Sequence, residues 1–138
     1  MAPHFFYGSL RHLPLLQAVL GDISHLSVQD ATLAEHAVFW AKDHGFPLIQ
    51  KSPGGVAAGL LVKGLTANDV ERLDFYEGGF DYALHNVRVR VGKRDQTAQV
   101  FFPHEGVWQT GDLWHLEDWV EQWVRPGIYA RIWRSSCW

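Results

Sequence analysis

Between Tyr82 and Val91 the chain sets Val87, Val89 and Val91 in alternation with Arg88 and Arg90. That period puts the valines on one face of an extended segment and the arginines on the other, which predicts a strand with one wet side. Lys93-Arg94-Asp95-Gln96 is predicted to turn it back, with Thr97 to Phe102 as its partner strand. Further extended segments are expected at His4 to Tyr7, at Phe46-Pro47-Leu48-Ile49 and at Val56 to Val62. Leu26 to Trp40 is expected to be extended in part, with mixed periodicity. Ser52-Pro53-Gly54-Gly55 has the composition of a turn between two of these strands. Gly59, inside a strand, marks a place where another backbone or a ligand passes close.

Three helices are expected. Pro14 suits a first helical turn; Leu15, Leu16, Val19 and Leu20 follow at helical spacing, and Gly21 stops the run. Thr66 is a good N-cap for a helix carrying Val70, Leu73 and Phe75/Tyr76 and ending at Glu77-Gly78-Gly79. Asp112 is expected to cap a last helix carrying Leu113, Leu116, Val120 and Val124, closed by Pro126. Strands outnumber helices and no βαβ rhythm is present. The expected class is α+β: a small mixed β-barrel-like sheet with two or three peripheral helices.

The 138 residues suit one domain, with 112–138 the part that fits no pattern. Apolar residues make up 47% of the chain, enough for one core. The formal charge of -3 argues against nucleic acid as a partner. No segment has the length of a membrane helix and the start lacks a signal-peptide pattern, so no membrane partner and a cytoplasmic location are expected. The single cysteine, Cys137, permits no intrachain disulfide. Eight histidines show no metal-ligand spacing, and no metal site is expected.

Two places can carry chemistry. At Tyr7-Gly8-Ser9-Leu10 a strand turns at glycine into a helix, and backbone N–H groups gathered there suit a carboxylate or phosphate. In Leu73-Asp74-Phe75-Tyr76-Glu77-Gly78, Glu77 sits at a helix C-terminus, where the dipole favours a cation. Aromatic neighbours would desolvate it and raise its pKa toward the working range of a general acid/base. The plain alternatives are an ordinary strand-to-helix turn and a solvated glutamate.

Taken together, these segments resemble the gamma-glutamylcyclotransferase-like family. The likeness runs from Phe5-Phe6-Tyr7-Gly8-Ser9-Leu10 through Phe46-Pro47-Leu48-Ile49, Val56 to Val62 and Leu73-Asp74-Phe75-Tyr76-Glu77-Gly78 to Tyr82, Val87 and Val89. It implies a barrel-like α+β fold with a ligand at its mouth. It implies Tyr7, Gly8, Ser9, Leu10 and Tyr82 as substrate-binding residues and Glu77 as the catalytic acid/base. The implied reaction releases 5-oxoproline from a small gamma-glutamyl compound by attack of the substrate's own α-amine, with no cofactor. The chain departs from the family's pattern after Tyr82, where Ala83-Leu84 stands in place of a common arginine two residues on.

Other readings remain open at this level. Ser9 as a hydrolase nucleophile has the right strand–turn setting but lacks the Gly-x-Ser-x-Gly elbow. The fold can also serve as a non-catalytic ligand-binding or interaction module. Trp114, Trp119, Trp123, Trp133 and Trp138 would then offer a homodimer surface, the alternative being that about half of them pack in the core.

Overall fold

The computed structural model describes residues 3–42, 47–78, 82–103 and 109–124. Among the described residues six strands form one sheet: β1 (His4–Phe6), β2 (Ser27–Ala41), β3 (Pro47–Lys63), β4 (Tyr82–Val91), β5 (Arg94–Pro103) and β6 (Thr110–Leu113). Their order is β3-β1-β5-β4-β2-β6, and β2 also pairs with β3. That extra pairing closes β3, β1, β5, β4 and β2 into a five-stranded barrel, with β6 added beside the outer half of β2. The barrel is mixed, because β1 lies parallel to β5 and antiparallel to β3. Three helices complete the described fold: α1 (Leu13–Leu20), α2 (Ala67–Gly78) and α3 (Leu116–Trp119), the last running on through a π-type turn at Val120–Val124.

The inward face follows from the ladder. His85, Val87 and Val89 stand opposite Val100, Ala98 and Gln96, so they share one side of the hairpin. Val89, Ala98 and Val100 are fully buried, while Arg88 and Arg90 on the other side are exposed. The predicted wet face is therefore the barrel's outside. The hairpin turns at Gly92-Lys93, earlier than the predicted Lys93 to Gln96, and Arg94 to Gln96 already lie in β5. Gly59 faces inward, where an added Cβ would lie 2.5 Å from the Phe6 carbonyl and 2.6 Å from the Phe5 ring. The close approach expected there is that of β1.

The long β2–β3 hairpin corrects two expectations. β2 is extended over all its 15 residues, and β3 is a single 17-residue strand rather than two strands parted by a turn. Ser52-Pro53-Gly54-Gly55 forms a bulge inside it. Ala34 pairs with Val56 and His36 with Lys51, so four residues of β3 stand against Glu35 alone. Glu35 has φ 61° and its carboxylate accepts the Gly54 N–H at 3.1 Å, which ties the bulge across the ladder. Beyond it the hairpin folds back. Phe6 pairs with Leu60, which puts Gly8 level with Ala58. A straight ladder would carry Pro47 roughly 20 Å beyond that level. Instead the Pro47 Cγ lies 2.6 Å from where a Gly8 Cβ would stand. The outer half of the hairpin thus roofs one end of the barrel.

Helix boundaries follow local chemistry. Pro14 lies in the first turn of α1; Leu15, Leu16, Val19 and Leu20 are buried, each contributing about 2 kcal/mol of transfer free energy. Gly21 at φ 87° ends it. At the head of α2 the Thr66 hydroxyl accepts the Asp69 N–H at 3.1 Å and the Asp69 carboxylate accepts the Thr66 N–H at 3.0 Å, a reciprocal capping box. Asp112, by contrast, caps nothing: it lies in β6, and the last helix begins at Leu116 after His115. Trp114 and Trp119 are buried in the core. Trp123 has an undescribed side chain, and Trp133 and Trp138 lie outside the described residues. Among the described residues no helix is long and apolar enough to cross a membrane.

Candidate active site

Tyr7, Gly8, Ser9 and Leu10 leave β1 at the roofed end of the barrel, and all four are buried. The Tyr7 hydroxyl donates to the Phe101 carbonyl at 3.0 Å and pins the strand end to β5. Gly8 has φ -118°, which any residue can adopt; glycine is required there by Pro47, not by backbone strain. Ser9 to Arg11 form a single 3₁₀ turn, closed by Arg11 N–H to Gly8 O and His12 N–H to Ser9 O, both at 3.0 Å. Those two donors are consumed by the turn itself, so the anion-binding N–H groups expected here are at most the earlier ones. The Leu10 side chain fills the core, leaving only its backbone to meet a ligand.

α2 brings the second motif to the same place. Asp69, Leu73 and Tyr76 form its buried stripe at helical spacing. The Tyr76 hydroxyl lies 3.5 Å from the Ser9 hydroxyl, a long polar contact in a buried setting. Two segments 67 residues apart therefore converge. Glu77 follows Tyr76 in the last turn of α2, while its side chain lies outside the described residues. The same holds for the Tyr82 side chain; its backbone starts β4 opposite Pro103. Asp74 is exposed on α2, and Asp81 is outside the described residues.

The head of α2 is fixed electrostatically. Burial pushes the Asp69 carboxyl up, but the Thr66 N–H and the His25 imidazole, whose Nε2 lies 2.7 Å away, outweigh it and hold the carboxyl below its ordinary value. Beside the Ser9 turn, burial lowers the pKa of the Arg11 guanidinium, opposed by Glu117 and Asp30. His12, its ring edge-on to Trp119, is likewise lowered by burial. Among the described residues no group of three or more His, Cys, Asp or Glu side chains is placed to hold a metal ion.

Sequence reasoning assigned no role to Tyr76 or Pro47, yet these are the side chains that meet Ser9 and Gly8. Tyr76 was discoverable, because it falls on the Asp69–Leu73 stripe next to Glu77. Pro47 carried no local signal: its contact depends on the hairpin folding back.

The profile of the family described as gamma-glutamyl cyclotransferase, AIG2-like, matches residues 4–121. No curated protein matches the chain. Among solved structures, an Arabidopsis thaliana protein determined in solution superposes with a TM-score of 0.70 at 21% identity, over 95% of this chain and 89% of that one. A structure described as gamma-glutamyl cyclotransferase gives 0.69 at 14% identity, over 98% and 85%. An AIG2-like protein from Mus musculus gives 0.63 at 18%, over 83% and 88%. At these identities the likeness is one of fold.

Proposed function

This chain belongs to the gamma-glutamyl cyclotransferase, AIG2-like family, and we propose that it releases 5-oxoproline from a small gamma-glutamyl compound. The observation that carries the reading is the approach of Ser9 to Tyr76, which sets the residue before Glu77 against the strand-end loop. In this reading the substrate supplies the nucleophile. Its α-amine attacks its own γ-carbonyl; the new N–C bond closes the five-membered ring and the original amide C–N bond breaks. Glu77 takes a proton from the α-ammonium and returns one to the departing amine, so charge and protons balance. Holding the chain bent makes the attack intramolecular, and much of the acceleration comes from that. N–H groups of the Gly8 to Leu10 loop steady the oxyanion, and Ser9 and Tyr82 hold substrate oxygens. No protein nucleophile, metal or organic cofactor takes part.

The test is a panel of gamma-glutamyl dipeptides and amides assayed for 5-oxoproline. Glu77→Gln is expected to lower kcat by about 10²-fold or more, the usual contribution of a positioned acid/base, with the melting temperature unchanged. A Gln variant at full activity would remove the assigned role. No release from any compound would remove the activity.

A further inference from the structure

α2 meets the rest of the molecule on a narrow stripe. Among its described side chains Asp69, Leu73 and Tyr76 are buried and Val70 partly so, while Glu71, Asp74 and Phe75 face solvent. Apolar packing of so few side chains is non-directional, and it fixes neither the rotation of a helix about its axis nor its register along it. Hydrogen bonds, with set lengths and angles, fix both.

Bonds of that kind gather at the head of the helix. His25, 44 residues before Asp69, donates its Nε2–H to the Asp69 carboxylate at 2.7 Å, since a carboxylate only accepts. The same oxygen accepts the Thr66 N–H at 3.0 Å. The segment that presents His25 is itself held. The Ser24 N–H bonds the Asp22 carboxylate at 3.0 Å, and the Leu26 N–H bonds the Ile23 carbonyl at 3.1 Å. The His25 carbonyl lies against Gly64, where an added Cβ would stand 2.8 Å from it. A further tie, from the Arg72 guanidinium to the Leu20 carbonyl at 3.3 Å, joins the next turn of α2 to the end of α1. The helix is thus gripped at its head from one side, by groups that the end of α1 and the segment after it hold in place.

What happens at the head is felt at the other end. Tyr76 lies seven residues beyond Asp69, roughly 10 Å along a helix. A rotation of about 10° about the axis displaces an atom roughly 5 Å out by about 1 Å. A displacement of that size at a reacting group costs about 10²-fold in rate. We infer that His25 is a positioning residue: by gripping Asp69 from a fixed post it sets the rotation and register of α2, and through α2 the seat of Tyr76 against Ser9 and the place of Glu77, the next residue. The effect on turnover rests on the cyclotransferase reading; the positioning itself rests on the contacts of the helix alone.

His25→Leu keeps the bulk and removes the donor. It is expected to lower kcat for 5-oxoproline release about tenfold, the effect of a shift well under 1 Å, with KM changed by less than about twofold because the Ser9 loop belongs to β1. His25→Gln, whose amide N–H reaches the place of Nε2, is expected to recover most of the loss. His25→Asn is too short to reach Asp69; it is expected to repeat the loss and serves if the Leu variant misfolds. A contact that only stabilised the fold would lower the melting temperature and leave kcat of the folded protein unchanged, and that result would overturn the inference. So would a loss that Gln fails to recover. The backbone amide resonance of Ser9, read by ¹⁵N NMR without any ligand, gives a second measurement that does not depend on turnover. It is expected to shift in His25→Leu and to return in His25→Gln, because Tyr76 moves against Ser9. A Ser9 resonance that stays in place in the Leu variant would remove the positioning role. Ser9 shifts in a protein that releases no 5-oxoproline would keep that role and remove the cyclotransferase reading.

Discussion

The two ends of the barrel use glycine for opposite reasons. At the mouth, Gly8 and Gly59 have no room for a side chain: an added Cβ would sit 2.6 Å from Pro47 and 2.5 Å from the Phe6 carbonyl. At the far end, Gly92 has open space around it and a φ of 61° instead. The far end is shaped by local backbone geometry, which a hairpin can satisfy by itself. The mouth is shaped by distant segments pressed together, Gly8 on Pro47 and Ser9 on Tyr76. A change at the far end is therefore felt locally. A change at the mouth is felt by every strand that meets there.

Four substitutions try that contrast, from the largest effect down. Gly59→Ala is expected to cost about 3 kcal/mol in urea unfolding, because the Cβ meets backbone and a buried ring, neither of which can swing away. A loss under about 1 kcal/mol would mean that β1 shifts freely. Gly8→Ala is expected to cost about 2 kcal/mol, and since its obstacle is the tip of one side chain, Pro47→Ala should recover part of the loss. Additive losses in that double variant would break the proposed contact.

α2 links the two ends, starting beside the far end and delivering Tyr76 to the mouth. Asp69→Asn is expected to cost about 1.5 kcal/mol near neutral pH, the low end for hydrogen bonds to a charged group. The Asp69 carboxyl is held below its ordinary value, so the folded state binds its proton later than the unfolded chain does. Its stabilisation is present above the unfolded carboxylate pKa of about 3.9 and is lost as pH falls below it. Urea titrations of both proteins at pH 6 and pH 3 should show the gap closing; a constant gap would mean that the charge contributes nothing. Gly92→Ala is the mildest, about 1 kcal/mol for a left-handed backbone position, with the proposed release of 5-oxoproline untouched. Gly92→Asn should cost less still. Any loss of activity in these two variants would show that the ends communicate.

How legible the molecule was in its sequence divides along the same line. The Val87–Val91 alternation, Pro14 and Gly21 around α1, and the Thr66 cap are each decided within a few residues, and each is present. Ser52-Pro53-Gly54-Gly55 has the composition of a turn, and only its partner strand shows that pairing resumes on both sides of it. Asp112 followed by apolar residues at helical spacing imitates a capped helix; the competing claim of β2, whose Phe39 pairs with Leu113, is invisible in the sequence. At the site, the motifs at Tyr7 to Leu10 and Leu73 to Gly78 were legible as candidates. Their meeting through Tyr76, and the roof formed by Pro47, belong to long-range packing.

β1 is only three residues long, but it sits between β3 and β5 and carries the loop that holds Ser9. Its partners lie about sixty and one hundred residues downstream, at Leu60 to Val62 and at Gln99. During synthesis this first strand can pair with β3 once Val62 has emerged, but its other edge has no partner until β5 follows, and closing so large a loop makes completion of the barrel a late step. The ligand binding proposed for the Ser9 turn would thus report on completed assembly: a chain truncated before β5 would keep the motif's letters without the strand that completes its setting.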